Sequence, residues 1–286
     1  MNMLIQTLAQ FNYKMRIYTL KKIVHQVAPP YFMDLIVFIY RAFRGKTQTV
    51  CYEHHSKADD IDVNSLYYVT SNPIFNLPAN KVRHQGGQAY SSEQHHFIQY
   101  YRDGLKALTN YYDKHNPKTI FDKHFIYNHR GKQMTLPWIL NNPHVVEGEH
   151  GLPFASGHSA YGPVDDMKLK LEVERLNLCL RSIKARGYLI KRQFPREDNG
   201  LPRGYFLVTN SGDWVFRVVG GKHRVAALVW LGWKNIPVCF EPSVPRCIHE
   251  ADILSWPRVA SGEFSKDDAK LIFDSYFRDP GVKLWQ

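Results

Sequence analysis

Between residues 157 and 240 the apolar positions switch from a helical to an extended period and back again. Leu169, Val173, Leu176, Leu180 and Ile183 recur every three or four residues, which predicts an amphipathic helix over 165–186. Asp165 stands at its N-cap and Gly187 at its stop. Apolar runs at 204–209 and 214–219 predict two strands, joined as a hairpin by the turn residues Asn210-Ser211-Gly212-Asp213. The second strand enters Gly220-Gly221. A helix over 222–231 follows, Gly232 ends it, and 236–240 forms a further strand. Past Glu241 the pattern is helical at 252–256 and 266–277.

Upstream the grammar differs. Asn72-Pro73, Leu77-Pro78, Gly86-Gly87 and Asn141-Asn142-Pro143 are turn signals spaced too closely for long elements. Between them Phe97, Tyr100, Tyr101, Leu105, Leu108 and Tyr112 mark one helix over 92–115. Residues 51–156 therefore read as a helical and looped cap. In 1–50, apolar residues interleave with Lys14, Arg16, Lys21, Lys22, Arg41, Arg44 and Lys46 against a single acid, Asp34. Two short helices broken at Pro29-Pro30 fit this pattern. The expected fold is α+β: a small mixed-sheet domain at 157–245, a largely helical N-terminal region made of 1–50 and 51–156, and a helical C-terminal tail at 246–286.

The 286 residues are 44% hydrophobic and 14% aromatic, enough to build a core and unlike a disordered chain. The formal charge of +11 and a pI near 9.4 favour polyanions: nucleic acid, an anionic membrane leaflet or phosphorylated substrates. A basic amphipathic helix can lie in a membrane interface, and equally can pack on the main domain and expose its lysines. Cys51, Cys179, Cys239 and Cys247 form no CxxC pair, so free thiols in a reducing compartment are expected. Residues 1–10 lack a basic start, and the apolar stretch 35–40 is far shorter than the ~20 residues of a membrane span. A cytoplasmic protein is expected, peripheral to the inner face of the membrane at most.

The junction Gly220-Gly221-Lys222-His223-Arg224 carries the most chemistry. Two glycines allow a tight bend with uncovered amides, and the helix that follows offers its positive dipole end. Imidazole, guanidinium and ammonium groups in the first turn suit phosphate oxygens. Small Ala226 and Ala227 let the helix approach the sheet. The plainer alternative is a tight turn with a basic surface.

In order, Ser182-Ile183-Lys184-Ala185-Arg186-Gly187, the hairpin, Gly221-Lys222-His223-Arg224-Val225-Ala226-Ala227, Leu231-Gly232 and Ile236-Pro237-Val238 resemble the ParB/sulfiredoxin-like superfamily. The resemblance covers residues 162–240, under a third of the chain. It implies a nucleotide-binding ParB-like fold in which Gly221, Lys222, His223 and Arg224 contact nucleotide phosphates. Departures narrow it. Lys222 stands where sulfiredoxins carry their cysteine, Gly220 where serine kinases of the superfamily carry an aspartate, and the tail after Glu241 shows no helix-turn-helix tandem.

A kinase-like reaction needs a base for the acceptor hydroxyl and an acid for magnesium. Glu172, Asp165 and His223 are the candidates, with Asp166, Glu174 and Arg175 beside them on the same helix. The structural alternatives are a solvated Glu172–Arg175 pair at i,i+3 and a plain helix cap at Asp165. His144, Glu147, Glu149, His150 and His158 could collect a metal as such residues do in hydrolytic centres, but they follow no HExxH register and no metal site is assigned to them; Gly148-Glu149-His150-Gly151 and Ala155-Ser156-Gly157-His158 read as a flexible polar wall near the site. His54-His55 and His95-His96 read as surface or helix-flank histidines. The expected function is a phosphotransferase using ATP or another nucleotide with Mg2+ on a small hydroxylated, sugar or glycan acceptor, at the membrane face where bacterial surface polysaccharides are built. The alternative is a nucleotide-gated, ParB-like DNA-binding protein or nuclease.

Overall fold

The computed structural model describes residues 48–52, 57–63, 65–68, 73–131, 134–139, 149–193 and 196–284. The two helices expected within 1–50 lie outside the described residues. The chain divides into two units, Met1–Thr49 with Lys191–Glu197, and Val50–Ile190 with Asp198–Gln286. The described residues of the first belong to the strands β1 (Gln48–Tyr52), β4 (Tyr188–Gln193) and β5 (Arg196–Asn199). All that follows concerns the second unit, which contains all of the intervals 51–156 and 246–286 and most of 157–245.

Its centre is a mixed, open, six-stranded sheet. The strands β2 (Phe75–Pro78), β8 (Asn235–Phe240), β6 (Arg203–Val208), β7 (Trp214–Gly220) and β3 (Val82–Arg83) lie side by side in that order, and β9 (Cys247–His249) also pairs with β6. The hairpin β6–β7 is antiparallel, as its turn residues require, and β2 pairs β8 antiparallel. The β6–β8, β6–β9 and β3–β7 pairs are parallel.

Both faces of the sheet are covered, which is why β6 reads as a nearly unbroken apolar run. Phe206, Val208, Phe216 and Val218 point into one core with Leu176, Ile183, Val225, Ala226, Phe97 and Leu108. Tyr205, Leu207 and Val215 point into the other with Trp138, Ile253, Trp256, Ile272 and Phe273. Each large apolar side chain so buried contributes about 1.5–3 kcal/mol. The first core is roofed by α1 (His96–Asp103), α2 (Leu105–Lys114), α4 (Asp166–Arg186) and α5 (Lys222–Trp230). The second is closed by the short α3 (Ile120–Lys123) and by the C-terminal segment with α6 (Pro257–Ala260) and α7 (Lys266–Asp274).

Three expectations need correction. The helix expected over 92–115 is two helices, because Gly104 takes φ 80°, a left-handed value that ends α1 before α2 begins. The cap interval is not only helix and loop, since it supplies the strands β2 and β3. Pro78 is no obstacle there, because β2 is an edge strand and needs no outward N–H. The tail is not only helical: β9 joins the sheet before the first of its helical turns, Glu250–Ser255.

Elsewhere the helix 166–186, the hairpin and the strand–Gly-Gly–helix junction stand within a residue or two of where the pattern places them. No described helix is long and apolar enough to cross a membrane. Cys179, Cys239 and Cys247 are free thiols.

Candidate functional site

At the end of β7 the backbone turns through Gly221, whose φ of 84° and ψ of 18° are left-handed. A β-carbon there would lie 2.8 Å from the Pro202 Cα, so both conformation and space demand glycine. No side chain caps α5. The Gly221 carbonyl instead accepts from Arg224 N and Val225 N at 3.0 and 3.1 Å. Gly220 is open by contrast. A β-carbon there would meet nothing nearer than the Arg203 guanidinium, at 3.6 Å. Arg203, from the neighbouring strand, thus brings a cation to the bend that no local motif announces.

The three cations of the first turn go separate ways. Lys222 turns inward, donating to Ser159 Oγ at 2.7 Å and lying 3.3 Å from Glu149 Oε1. His223 also turns inward: Nε2 is 2.5 Å from Glu172 Oε2, and the ring stacks on Phe97 at 4.8 Å. Arg224 alone remains half-buried at the surface. The sequence pattern suggests three cations facing an open bend. The structure instead spends two of them on carboxylates brought from other elements.

Those carboxylates form one network through Lys168. This lysine is fully buried, with Nζ 2.8 Å from Glu149 Oε2 and 2.9 Å from Glu172 Oε1. Its i,i+4 spacing to Glu172 along α4 is what lets the second contact form. Glu149 further accepts from Ser159 N at 2.6 Å and Ser159 Oγ at 2.9 Å, and His158 Nε2 lies 3.2 Å from its Oε1.

Burial pushes the Glu149 carboxyl up, but Lys222, then His158 and Lys168, hold it well below the usual carboxylate range. For Glu172 burial is likewise overcome, chiefly by His223 and then Lys168, and the carboxyl sits at about 2. Burial lowers the His223 pKa more than Glu172 raises it. A neutral imidazole therefore donates its Nε2–H to an ionised Glu172.

The other candidates fall out as follows. Asp165 is exposed and caps α4, accepting from Lys168 N at 2.7 Å. The solvated Glu172–Arg175 pair does not form, since Glu172 faces inward. Arg175 has a buried Nε with no hydrogen-bond partner among the described residues. Burial pushes the Cys179 thiol up, and the charges of Arg224 on α5 and then Arg175 on α4 draw it down.

Of the polar wall, His144 and Glu147 lie outside the described residues, while Glu149 and His158 are joined. Among the described residues no three His, Cys, Asp or Glu side chains are grouped to hold a metal ion. Nor do Glu149 and Glu172 fit a resident magnesium, because their oxygens already face ammonium, hydroxyl, amide and imidazole donors. His95 and His96 are not surface groups. Both are fully buried, His95 capping α1 with its side chain.

Sequence reasoning valued Glu149 only as wall, and missed Ser159, Lys168 and Arg203. The Lys168–Glu172 spacing was visible. The pairing of Glu149 with Lys222 depends on tertiary contact across 73 residues. Compared with protein-family models, with curated proteins and with solved structures, the chain matches none.

Proposed function

We propose that this chain is a nucleotide-dependent, kinase-like phosphotransferase acting on a small hydroxylated or sugar acceptor. The nucleotide's phosphates lie between Arg175 and Arg224 at the start of α5. The observation that carries this reading is the Arg175 Nε, a buried donor with no acceptor among the described residues, on a helix packed against α5, whose start no side chain caps. A guanidinium pair and uncovered helix amides suit successive phosphate oxygens. Open space at Gly220 lets the phosphate chain approach the backbone, with Arg203 beside it. The order of motifs resembling the ParB/sulfiredoxin-like superfamily supports the same placement.

Phosphoryl transfer asks mainly for positioning and charge stabilisation. The P–O bond to the leaving diphosphate breaks as the acceptor oxygen bonds to phosphorus, and the hydroxyl proton passes to water. Glu149 rather than Glu172 faces the acceptor hydroxyl and orients it, without taking its proton. Its side chain is 21% exposed and reachable, whereas that of Glu172 is 0% exposed. Glu172 and His223 are positioning residues that lock α4 to the first turn of α5. Asp165 only begins α4. Magnesium supplies charge neutralisation when it arrives on the nucleotide; the protein's own residues hold and orient the phosphates.

The test is a thermal-shift panel of ATP, ADP, CTP and GTP with magnesium, on wild type and Arg224→Ala. Ligand stabilisation grows with the logarithm of concentration over Kd. A shift in wild type that is lost in the variant supports the reading. No shift with any nucleotide overturns it, and nucleotide hydrolysis stimulated by duplex DNA replaces it with a ParB-like DNA-binding function.

A further inference from the structure

The outer surface of α4 and α5 carries a charge pattern that the bend does not use. The two helices run side by side in one direction. His223 in the first turn of α5 meets Glu172 of α4, and the Trp233 ring just past α5 stands 6.0 Å from the Tyr188 ring just past α4. Neither 175–190 nor 222–240 contains an acidic residue. Arg181, Lys184 and Arg186 on α4 and Lys234 beyond α5 are exposed. Arg181 Nε donates to Asn177 O at 3.4 Å and Arg186 to Ser182 Oγ at 2.7 Å. Among the described residues no carboxylate pairs with any of the four.

Large apolar side chains stand among these cations. Leu178 is 63% exposed and Trp230 41%. Tyr101, near the end of α1, ties their surroundings together: its Oη donates to Leu176 O at 2.9 Å, and its ring stacks on that of Trp230 at 5.8 Å. Leu178, Arg181 and Ala185 recur at helical spacing on one exposed stripe, opposite the buried Leu176 and Ile183. Glu174, a turn before Leu178, is the one exposed acid of α4 beyond its first turn, and Asp103 at the end of α1 is already held by Arg102 at 2.7 Å. Cations in a last helical turn also answer the helix dipole. That accounts for Lys184 and Arg186 but not for Leu178 or Trp230.

We propose that this face docks the protein on an anionic lipid bilayer, with Leu178 and Trp230 entering the interfacial region and Arg181, Lys184, Arg186 and Lys234 facing lipid phosphates. Charge complementarity calls for an anionic surface. The apolar pair favours lipid over nucleic acid, because a phosphate backbone offers an aliphatic side chain nothing, whereas a bilayer interface takes aliphatic, indole and cationic groups together. The face uses neither Arg175 nor Arg224, and it stands without the phosphotransferase reading.

Flotation of the full chain tests it, with vesicles of phosphatidylcholine alone and of phosphatidylcholine mixed with phosphatidylglycerol. The proteins are wild type, Leu178→Asp and the double variant Arg181→Glu/Lys184→Glu, each checked by circular dichroism; all three substitutions fall on exposed positions, so the fold is kept. The expected result is that wild type floats with the anionic vesicles and not with the neutral ones, less so as salt is raised. Each variant should partition at least tenfold more weakly.

Failure of wild type to float with anionic vesicles overturns the docking face. Equal flotation of wild type and both variants also overturns it, and assigns membrane binding to another part of the chain. Weakening in the charge variant alone, with Leu178→Asp unchanged, overturns the lipid assignment; a gel shift of duplex DNA by wild type and Leu178→Asp, lost in the charge variant, then replaces it with a nucleic-acid face.

Discussion

His223 Nε2 and Glu172 Oε2 are 2.5 Å apart where neither side chain meets bulk water, the two being 7% and 0% exposed. This pair joins α5, which begins at the bend, to the middle of α4. Glu172 also balances the buried Lys168. Taking the charge from one member of a buried network strands the other. Glu172→Gln should therefore lower stability by about 3 kcal/mol in urea unfolding. A loss under 1 kcal/mol would mean that the pair does not hold the junction.

The arginine pair should behave in the opposite way. Both side chains are half-buried, and among the described residues Arg175 Nε has no hydrogen-bond partner to lose. Arg175→Ala and Arg224→Ala should each change stability by about 1 kcal/mol or less. Each should also weaken nucleotide binding by about 1.5–3 kcal/mol, the range for a hydrogen bond to a charged group. Paired urea melts and titrations on the same samples check both halves.

The two glycines of the bend make a sharper contrast. Gly221→Ala forces a left-handed φ on alanine and sets its β-carbon 2.8 Å from the Pro202 backbone, so a loss of about 2 kcal/mol is expected. Gly220→Ala meets only a flexible guanidinium at 3.6 Å and should fold nearly as wild type. If phosphates approach Gly220, that same added methyl should weaken nucleotide binding. Equal stability of the two variants would contradict the geometry.

The buried histidines predict acid sensitivity. His84, His95 and His96 are fully buried, with neighbouring rings 4.8–5.5 Å apart, and burial holds all three well below the usual histidine pKa. Below pH ~6.5 the unfolded chain takes up these protons while the folded chain does not, so stability is whole above that pH and falls beneath it. Each such group costs about 1.4 kcal/mol per pH unit. Unfolding free energies from urea melts at pH 6 and pH 5 should thus differ by roughly 3 to 4 kcal/mol from these three alone. A flat profile across that interval would show that the cluster accepts protons in the native state.

What the sequence revealed and concealed follows from the range of the interactions. The helix 166–186, the hairpin and the Gly220-Gly221 junction are local devices of period, cap and turn, and they are legible as such. The break at Gly104 is local as well, but one apolar stripe runs through it and masked it. The short edge strands Phe75–Pro78 and Val82–Arg83 carry no alternation long enough to see. The site divides along the same line. Arg224 could be found from its motif, whereas Glu149 reaches Lys222 only through tertiary packing. His95 and His96 look like surface or helix-flank histidines in a polar stretch and are core because the rings of His84, Tyr90 and Tyr111 pack against them.

The most direct test is calorimetric titration of ATP with magnesium into wild type, Arg175→Ala and Arg224→Ala at low salt. The account predicts saturable one-site binding to the wild type, weakened at least tenfold in each variant while the fold is kept. Binding of equal strength in all three, or none to the wild type, would contradict the placement of phosphates between these two arginines.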